Sequence, residues 1–344
     1  MTLNISSVSF AQRTTAVVAG LAGSFFLQGI SAPLTQASEM EMSLGGVTWV
    51  GLTPFYVAQE KGYFEESGLE VNLQIFGANT DYISAYLANR IDGAISSVTS
   101  ENVLMADKGK DFKIVMIQDN SAGADGILAR NSVADIADFK GKKVAVEQGG
   151  VGHFFLLQVL NEAGLSSDDI TIINADAPTA ATAYQAGNVD IASSYAPFLS
   201  QANEAQADGR IIYDSSKLPS AITDFYTFST DYIEANPEAV QAFVDGIAKA
   251  LGFIETNREE AVAIAAASLD VTAEALDADL AGIGLPSVET NIEMLTDASS
   301  DIYILNSLNA MGDFLLDQGQ IKAIPDMAEF IDPSFVQSVQ ATSK

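Results

Sequence analysis

The feature that most constrains the fold of this chain is an alternation of short β-strand patterns with helical patterns, which occurs twice. The first series predicts strands at VTWV, VNLQIF, DGAISSV and KIVMIQD, which are residues 47–50, 71–76, 92–98 and 113–119. A predicted helix of about ten residues follows each strand, and a connection of that length joins neighbouring strands that run parallel. The alternation therefore predicts a layered α/β structure.

The second series repeats the first. Strand patterns return at KKVAVEQ, ITIINA and DIASSY, which are residues 142–148, 170–175 and 190–195. In addition, AYLANRIDGAISS aligns with AYQAGNVDIASS with one gap. Two matched series in the same order predict two similar α/β lobes.

Two β-like segments connect the predicted lobes, GADGILAR at 123–130 and TDFYTFST at 223–230. Two crossings imply a discontinuous first lobe, residues 44–122 plus 228–344, and a second lobe of residues 123–227. From Tyr232 onward the pattern is mostly helical. An apolar stripe there has the spacing of one buried helix face and predicts core packing; its residues are Val240, Phe243, Ile247 and Leu251.

Residues 1–37 differ from the rest of the chain. Arg13 ends a short polar region without acids, residues 14–30 are apolar and small, and Thr35-Gln36-Ala37 fits a small-x-small cleavage site. This pattern predicts a secretory signal peptide, with an uncleaved membrane anchor as the alternative. We therefore expect a soluble periplasmic protein without a lipid anchor.

Composition excludes several classes of function. The chain has 45 Asp and Glu against 16 Lys and Arg, a net charge of −29, which repels nucleic acids and anionic lipids. This acidity indicates either a surface suited to saline water or steering of a cationic ligand. Absence of Cys excludes disulfides, thiol catalysis and zinc-thiolate sites, and a single His153 excludes a His-rich metal site. We expect neither a cofactor nor a metal ion.

Candidate ligand-binding residues follow from one rule: in open α/β sheets the ligand lies beyond the carboxyl ends of the strands. Two facing lobes supply two such edges to a single cleft. The rule and the crossings select Trp49, Gly51, Thr53, Ser97, Thr99, Asp119, Asp125, Gly149, Gly150, His153, Tyr195 and Asp224.

Most candidates have an alternative structural role. Trp49 can stack on a ligand or pack at a strand end. Ser97 and Thr99 can bind a ligand or cap the next helix. Gly149-Gly150 can present backbone N–H groups, but they lack the G-x-G-x-x-G spacing and the P-loop Lys of a nucleotide site. A lone histidine such as His153 is more often a packing or surface residue.

Asp119, Asp125 and Asp224 are the most informative candidates, because they flank apolar runs. An unpaired buried carboxylate is unfavourable, so two such acids in a cleft require a donor-rich ligand, such as an amine, amidine or hydroxyl. The alternative is exposure, or pairing with Lys113 or Arg130.

Several motifs resemble one family. They are GGVTWVGLTPFYVAQEKGYFEESGLEV, DIADFKGKKVAVEQGGVGHFFLL, GNVDIASSYAPFLSQA, NPEAVQAFVDG and IDPSFV. Together they resemble the nitrate, sulfonate and taurine class of ABC-importer substrate-binding proteins, which includes binders of thiamine pyrimidine precursors. The resemblance spans nearly the whole chain after residue 37.

The resemblance implies a type II periplasmic binding protein fold, with a hinge and a closing cleft. It places Trp49, Ser97 or Thr99, Gly149-Gly150, Tyr195 and Asp224 near the ligand. Relatives often carry Trp-Glu-Pro where this chain has Tyr195-Ala196-Pro197, so a carboxylate is missing at Ala196.

These observations predict a monomeric, non-catalytic binding protein that delivers a small molecule to an ABC permease with its ATPase, and that contacts the membrane only there. The acids favour a nitrogen-containing organic ligand, with an anion (alkanesulfonate, taurine or nitrate) as the alternative. A pyrimidine-synthase-like enzyme of this fold is disfavoured, because that resemblance needs a Cys-rich motif and the chain has no Cys.

Overall fold

Two mixed β-sheets organise the computed structural model, which describes residues 40–219 and 221–342. The predicted signal peptide, residues 1–37, lies outside this range. The strands are β1 (Met40–Val47), β2 (Leu69–Phe76), β3 (Gly93–Val98), β4 (Phe112–Ser121), β5 (Asp125–Arg130), β6 (Lys143–Val146), β7 (Thr171–Asn174), β8 (Ile191–Tyr195), β9 (Gly209–Asp214), β10 (Thr223–Ser229) and β11 (Ile283–Gly284).

The helices confirm the predicted alternation at β1 to β3 and at β6 to β8, and the chain after β10 is mostly helical, as predicted. The helix predicted after β4 was wrong, because β4 is followed directly by β5. The helices are α1 (Thr53–Glu60), α2 (Asn79–Leu87), α3 (Thr99–Asp107), α4 (Val151–Glu162), α5 (Ala177–Gln185), α6 (Phe198–Ala205), α7 (Thr230–Ala235), α8 (Pro237–Thr256), α9 (Arg258–Leu269), α10 (Ala273–Asp279), α11 (Val288–Thr296), α12 (Ile304–Asp317) and α13 (Ser334–Thr342).

The two sheets share one plan. The first has the order β2-β1-β3-β10-β4-β11, and the second has the order β7-β6-β8-β5-β9. In each, a central strand pairs in parallel with two neighbours, β1 with β2 and β3, and β6 with β7 and β8. The next strand is antiparallel, β10 beside β3 and β5 beside β8. The internal similarity found in the sequence is therefore a similarity of topology.

The antiparallel strands β5 and β10 are the two predicted crossings. β10 enters the first sheet at Thr223, so the predicted return to the first lobe at residue 228 falls inside this strand. Asp125, the first residue of β5, pairs with Tyr195 at the end of β8. Asp224 in β10 pairs with Val98 at the end of β3. Equivalent corners of the two sheets thus each carry an aspartate.

Some strand predictions were wrong. β1 ends at Val47, and residues 50–52 form a 3-10 turn, so VTWV is not a strand. The true strand, MEMSLGGV, was not predicted, because its two glycines have a low propensity for β-strands. β9 was missed because all six of its residues are partly buried. Buried and exposed positions therefore do not alternate along it, and its sequence lacks the usual strand pattern.

The apolar stripe of α8 is core packing, as predicted. Val240, Phe243, Ile247 and Leu251 are all buried. Phe243 stacks on Phe64, which follows α1, with ring centroids 5.3 Å apart. This layer covers one face of the first sheet and leaves the carboxyl ends of its parallel strands for the cleft.

Candidate functional site

Four predicted residues from both sheets line one small cavity. Its volume is about 10 Å³, which is room for about one water molecule. The predicted residues in its lining are Trp49, Asp125, Tyr195 and Asp224, and the others are Val47, Asn79, Ser96, Val98 and Val151. The carboxyl ends of the parallel strands thus meet in a closed cleft.

Trp49 connects the two sides of this cleft. Its Nε1 donates a hydrogen bond of 2.9 Å to Asp119 Oδ2, and this bond is buried. Its ring meets Tyr195 edge-on at a centroid distance of 5.8 Å. Gly51 makes this arrangement possible, because a Cβ there would overlap Asp119 Oδ2 and Trp49 Nε1.

Three buried aspartates surround this aromatic contact. Asp119, Asp125 and Asp224 are 0%, 4% and 3% exposed, and Asp119 and Asp224 are paired on neighbouring strands. Within the described part of the chain, Asp119 Oδ1, Asp125 Oδ2 and Asp224 Oδ2 have no hydrogen-bond partner. An unpartnered buried oxygen is unfavourable, so the three carboxyls together favour a group with several N–H or O–H donors.

Burial also changes the protonation of these acids. It raises the pKa of Asp119 to about 7, although hydrogen bonds from Trp49 and Gln118 oppose the shift. It raises the pKa of Asp125 to about 7. The pKa of Asp224 is raised furthest above its ordinary value, first by burial and then by the charge of Asp119. The folded protein therefore favours the protonated form of each of these three acids more than water does.

A fourth buried acid, Glu101, contacts the cavity-lining residue Asn79 and was not predicted. Glu101 in α3 is 1% exposed and accepts hydrogen bonds from Tyr82 Oη, from Val98 N at 3.1 Å and from Asn79 Nδ2 at 3.1 Å. Burial raises its pKa to about 7. A glutamate inside a helix gives no sequence signal, whereas Asn79 follows β2 and would have been found by applying the strand-end rule to that strand.

Ser96 has an unusual backbone for its position in β3. Its φ is 60°, a conformation that is sparsely populated outside glycine and often marks functional sites. Gln118 holds it: Ser96 N donates to Gln118 Oε1 at 2.9 Å, and Gln118 Nε2 donates to Ser96 Oγ and to Asp119 Oδ2. Gln118 therefore gives Asp119 Oδ2 a second hydrogen-bond donor besides Trp49.

The hydroxyls of Thr53, Ser97 and Thr99 lie outside the cavity lining, and the protein itself satisfies them. Thr53 Oγ1 donates to Val50 O at 2.8 Å. Ser97 Oγ lies 3.3 Å from Thr227 Oγ1. Thr99 Oγ1 donates to a backbone carbonyl and accepts from a backbone N–H, both of β10.

Gly149, Gly150 and His153 form the turn into α4, next to the cavity residue Val151. Gly149 has a φ of 86°, which favours glycine, and its N–H donates to His153 Nδ1 at 3.3 Å. Burial lowers the pKa of His153, so the ring is neutral. Gly150 N donates to the carbonyl of Glu147.

Glu147 is a further residue that the sequence did not single out. It follows β6 and is 8% exposed, and its carboxylate crosses to the first sheet. There it accepts hydrogen bonds from Thr80 N at 2.8 Å and Asn79 N at 3.1 Å. Tyr195 Oη also donates to Asn79 Oδ1, at 3.3 Å, so the start of α2 receives two contacts from the second sheet.

Residues 40–219 and 221–342 contain neither a metal-binding cluster of side chains nor a membrane-spanning helix. No group of three or more His, Asp or Glu side chains there is placed to hold a metal ion. No helix in this part of the chain is long and apolar enough to cross a membrane.

Comparison with known proteins identifies the class that this fold and cleft define. The fold is that of the periplasmic aliphatic sulphonate binding protein SsuA of Escherichia coli (TM-score 0.66, 21% identity, covering 85% of this chain and 100% of that chain). It also occurs in the desulfurization enzyme DSZB (TM-score 0.63, 16% identity, covering 89% and 100%). The predicted type II periplasmic binding fold is confirmed.

The sequence comparison then gives the family. A model described as NMT1/THI5 like matches residues 49–261, and this chain belongs to that family. A Bacillus subtilis protein assigned as an aliphatic sulfonates-binding protein is 27% identical over 294 residues, which are 83% of this chain and 84% of that protein. The predicted resemblance to sulfonate- and taurine-type binding proteins is confirmed.

Proposed function

We propose that this protein is the periplasmic substrate-binding component of an ABC importer, and that it closes on a small organic ligand carrying a donor-rich nitrogen group. One observation supports this ligand class above all: Asp119, Asp125 and Asp224 are buried and each has one oxygen without a hydrogen-bond partner among the described residues. Asp125 and Asp224 also line the cavity between the two sheets. An ammonium, amidine or guanidinium group supplies two or more N–H donors and a compensating positive charge.

The aromatic residues favour the same class of ligand. Trp49 and Tyr195 flank Asp125 and Asp224 in the cavity lining, and aromatic rings attract cations. An anionic group in this position would be repelled by Asp119 in its ionised form, and no Lys or Arg side chain among the described lining residues offsets that repulsion.

Binding requires opening of the cleft. A cavity of about 10 Å³ holds one water but no organic ligand, so we propose that the lobes, residues 44–122 with 228–344 and residues 123–227, move apart at β5 and β10. A ligand that favours the closed form shifts the population towards it. The closed form is the one we expect the permease and its ATPase to recognise, with the protein acting as a monomer after removal of residues 1–37.

A second ligand class, the organosulfonates, is favoured by the names of relatives. The Bacillus protein is assigned to aliphatic sulfonates, and the Escherichia coli protein is an aliphatic sulphonate binder. Taurine combines both chemistries, because its ammonium group can donate hydrogen bonds to the aspartates and its sulfonate oxygens can accept hydrogen bonds from backbone N–H groups.

We propose binding without catalysis. The chain offers no Cys nucleophile, and the Nδ1 of its single His153 already accepts a hydrogen bond from Gly149 N.

Titration calorimetry with matched ligands tests the proposal. Ethanesulfonate is taurine without its ammonium group, and benzamidine and guanidinium carry the cation without a sulfonate. We expect taurine or the amidines to bind and ethanesulfonate not to bind, and we expect Asp224→Asn to weaken binding by about 1.5–3 kcal/mol. Asp176→Asn, a change at a helix cap outside the cleft, is the control. Tight ethanesulfonate binding that survives Asp224→Asn would contradict the nitrogen-containing ligand and support the organosulfonates.

A further inference from the structure

Glu147 makes the charged contact between the two sheets. Its carboxylate comes from the end of β6 and accepts one hydrogen bond at each oxygen, from Thr80 N at 2.8 Å and from Asn79 N at 3.1 Å. Both donors belong to the first turn of α2, which flanks the first sheet. The second sheet thus places a negative charge on a helix terminus of the first.

The start of α2 lacks a cap of its own. First-turn N–H groups have no partner inside a helix, and that end of the helix attracts negative charge. A Ser, Thr, Asp or Asn before the helix normally satisfies them, but α2 is preceded by Ala78, which forms no side-chain cap. Glu147 is 8% exposed and supplies this cap from the opposite sheet, so the cap exists only when the cleft is closed.

We propose that Glu147 is a specificity-determining residue that closes the cleft: its carboxylate joins the second sheet to the N-terminus of α2 and excludes an anionic ligand group from that position. The specificity role rests on the proposed ligand-binding function, whereas the closing role does not. In an open cleft the N–H groups of residues 79 and 80 are available, and the protein's own carboxylate reaches them at high effective concentration. An anionic ligand would have to displace Glu147 and remain beside its charge.

Two variants separate the closing role from the charge. Glu147→Gln removes the charge at nearly constant size, and Glu147→Asp keeps the charge but shortens the side chain by one carbon. The hydrogen bonds of the wild type need both charge and length, so we expect both variants to open without ligand. Only Glu147→Gln relieves the repulsion of an anion.

Closure is measured on the full chain without ligand. Small-angle scattering should give a larger radius of gyration for both variants than for the wild type. Trp49 is the only tryptophan and its ring meets Tyr195 of the second sheet, so its fluorescence should shift in both variants. Asp176→Asn is the matched control: Asp176 caps α5 through Thr179 N at 2.9 Å, a contact next to its own sheet, and its loss should leave the cleft closed.

Specificity is measured by calorimetry with ethanesulfonate and benzamidine. We expect Glu147→Gln to improve the affinity for ethanesulfonate relative to benzamidine by about tenfold or more, and Glu147→Asp to leave this ratio unchanged. A Glu147→Gln protein that stays as compact as the wild type would overturn the closing role. An unchanged affinity ratio in that variant would overturn the specificity role.

Failure of the proposed function has a different result. If neither ligand bound any variant, the scattering and fluorescence measurements would still decide the closing role, because they need no ligand.

Discussion

The two corners where the crossing strands meet the sheets are equivalent in topology but differ in chemistry. In the first sheet, Asp224 lies beside Asp119 on β4, and burial together with the charge of Asp119 raises the pKa of Asp224. In the second sheet, Asp125 is followed by Gly126, which pairs with Asp214 at the end of β9. The next residue of that segment is Ser215, whose Oγ bonds to Ser121 Oγ at 2.8 Å.

The two sheets therefore contribute different groups to the cleft. The first corner has two carboxyls, and hydrogen bonds from Trp49 and Gln118 fix that of Asp119; we propose that this corner is the preorganised wall that recognises the ligand. The second corner has one such aspartate and hydroxyl contacts, and its sheet contributes the closing contacts of Tyr195 and Glu147. On the proposed function, the first sheet recognises the ligand and the second sheet closes the cleft.

The largest effect should follow from a methyl group at the first corner. In Gly51→Ala the new Cβ overlaps Asp119 Oδ2 and Trp49 Nε1, so the network must shift. We expect the free energy of unfolding to fall by about 2–3 kcal/mol, measured by urea denaturation, together with loss of ligand binding.

The second sheet provides the comparison for this change. In Gly150→Ala the new Cβ lies 3.0 Å from Glu147 Cδ. Because the Glu147 side chain can give way by releasing its contacts with α2, we expect the free energy of unfolding to fall by only about 1 kcal/mol. Gly252→Ala in α8, where a Cβ meets nothing within 4 Å, should be stabilising by about 0.5–1 kcal/mol. Equal losses of unfolding free energy in Gly51→Ala and Gly150→Ala would contradict the proposal that the first corner is rigid and that the Glu147 side of the cleft can move.

Replacing the two equivalent aspartates should separate recognition from stability. We expect Asp224→Asn to weaken binding of a cationic ligand by about ten- to a hundredfold. The same variant should gain on the order of 1 kcal/mol in unfolding free energy above pH 7, because it removes a buried acid whose charge Asp119 opposes. In Asp125→Asn the gain in the free energy of unfolding should be smaller, because the strand partner of Asp125 is Tyr195 and not a second carboxyl. Calorimetry and denaturation of both variants check this; a larger gain for Asp125→Asn would reverse the assignment of the two corners.

The pH dependence should be opposite for stability and for binding. The raised pKa values of Glu101, Asp119, Asp125 and Asp224 mean that these acids bind protons more tightly in the folded chain than in the unfolded one. Their contribution to stability is therefore complete below about pH 4 and is lost as the pH rises through about 7 and above. Cation affinity should rise over the same interval, by up to about tenfold per pH unit for each proton released.

Thermal melts and calorimetry between pH 5 and 8 measure both trends, in the wild type and in Asp224→Asn. The variant should show a flatter stability profile. An affinity that falls with rising pH would instead indicate an anionic ligand.

The sequence predicted the plan of the fold better than its details. Paired runs of strand and helix patterns found both sheets and both crossings, because burial imposes periodicity on each element. The pattern missed β9 and misplaced β1, where half-burial and glycine weaken the signal.

Four of the predicted residues lie together in the structure, and their role in ligand binding stays a prediction. Trp49 and Tyr195 were selected by the strand-end rule, Asp125 and Asp224 were selected from the two crossings, and all four line the cavity. Glu101 was not selected, because its role depends on a contact with Tyr82 of another helix. Glu147 was not selected, because the predicted strand 142–148 ran past the end of β6 at Val146; its contact with Thr80 joins the two sheets. Such contacts become visible only when the sheets are assembled.

The smallest effects should come from the penultimate residues of the third strands, which the sequence alignment makes equivalent. Ser97 Oγ lies near Thr227 Oγ1 and accepts from Asn102 Nδ2 at 3.2 Å, and Ser194 Oγ donates to Ala177 O at 3.1 Å. Both hydroxyls are directed at protein atoms, so Ser97→Ala and Ser194→Ala should each lower stability by about 1 kcal/mol. Neither should change ligand affinity by more than about twofold, as measured by calorimetry. If Ser97→Ala alone weakened binding tenfold, the ligand would have to reach past Asp224 to β3 of the first sheet. The binding site would then extend beyond the corner formed by Asp119 and Asp224.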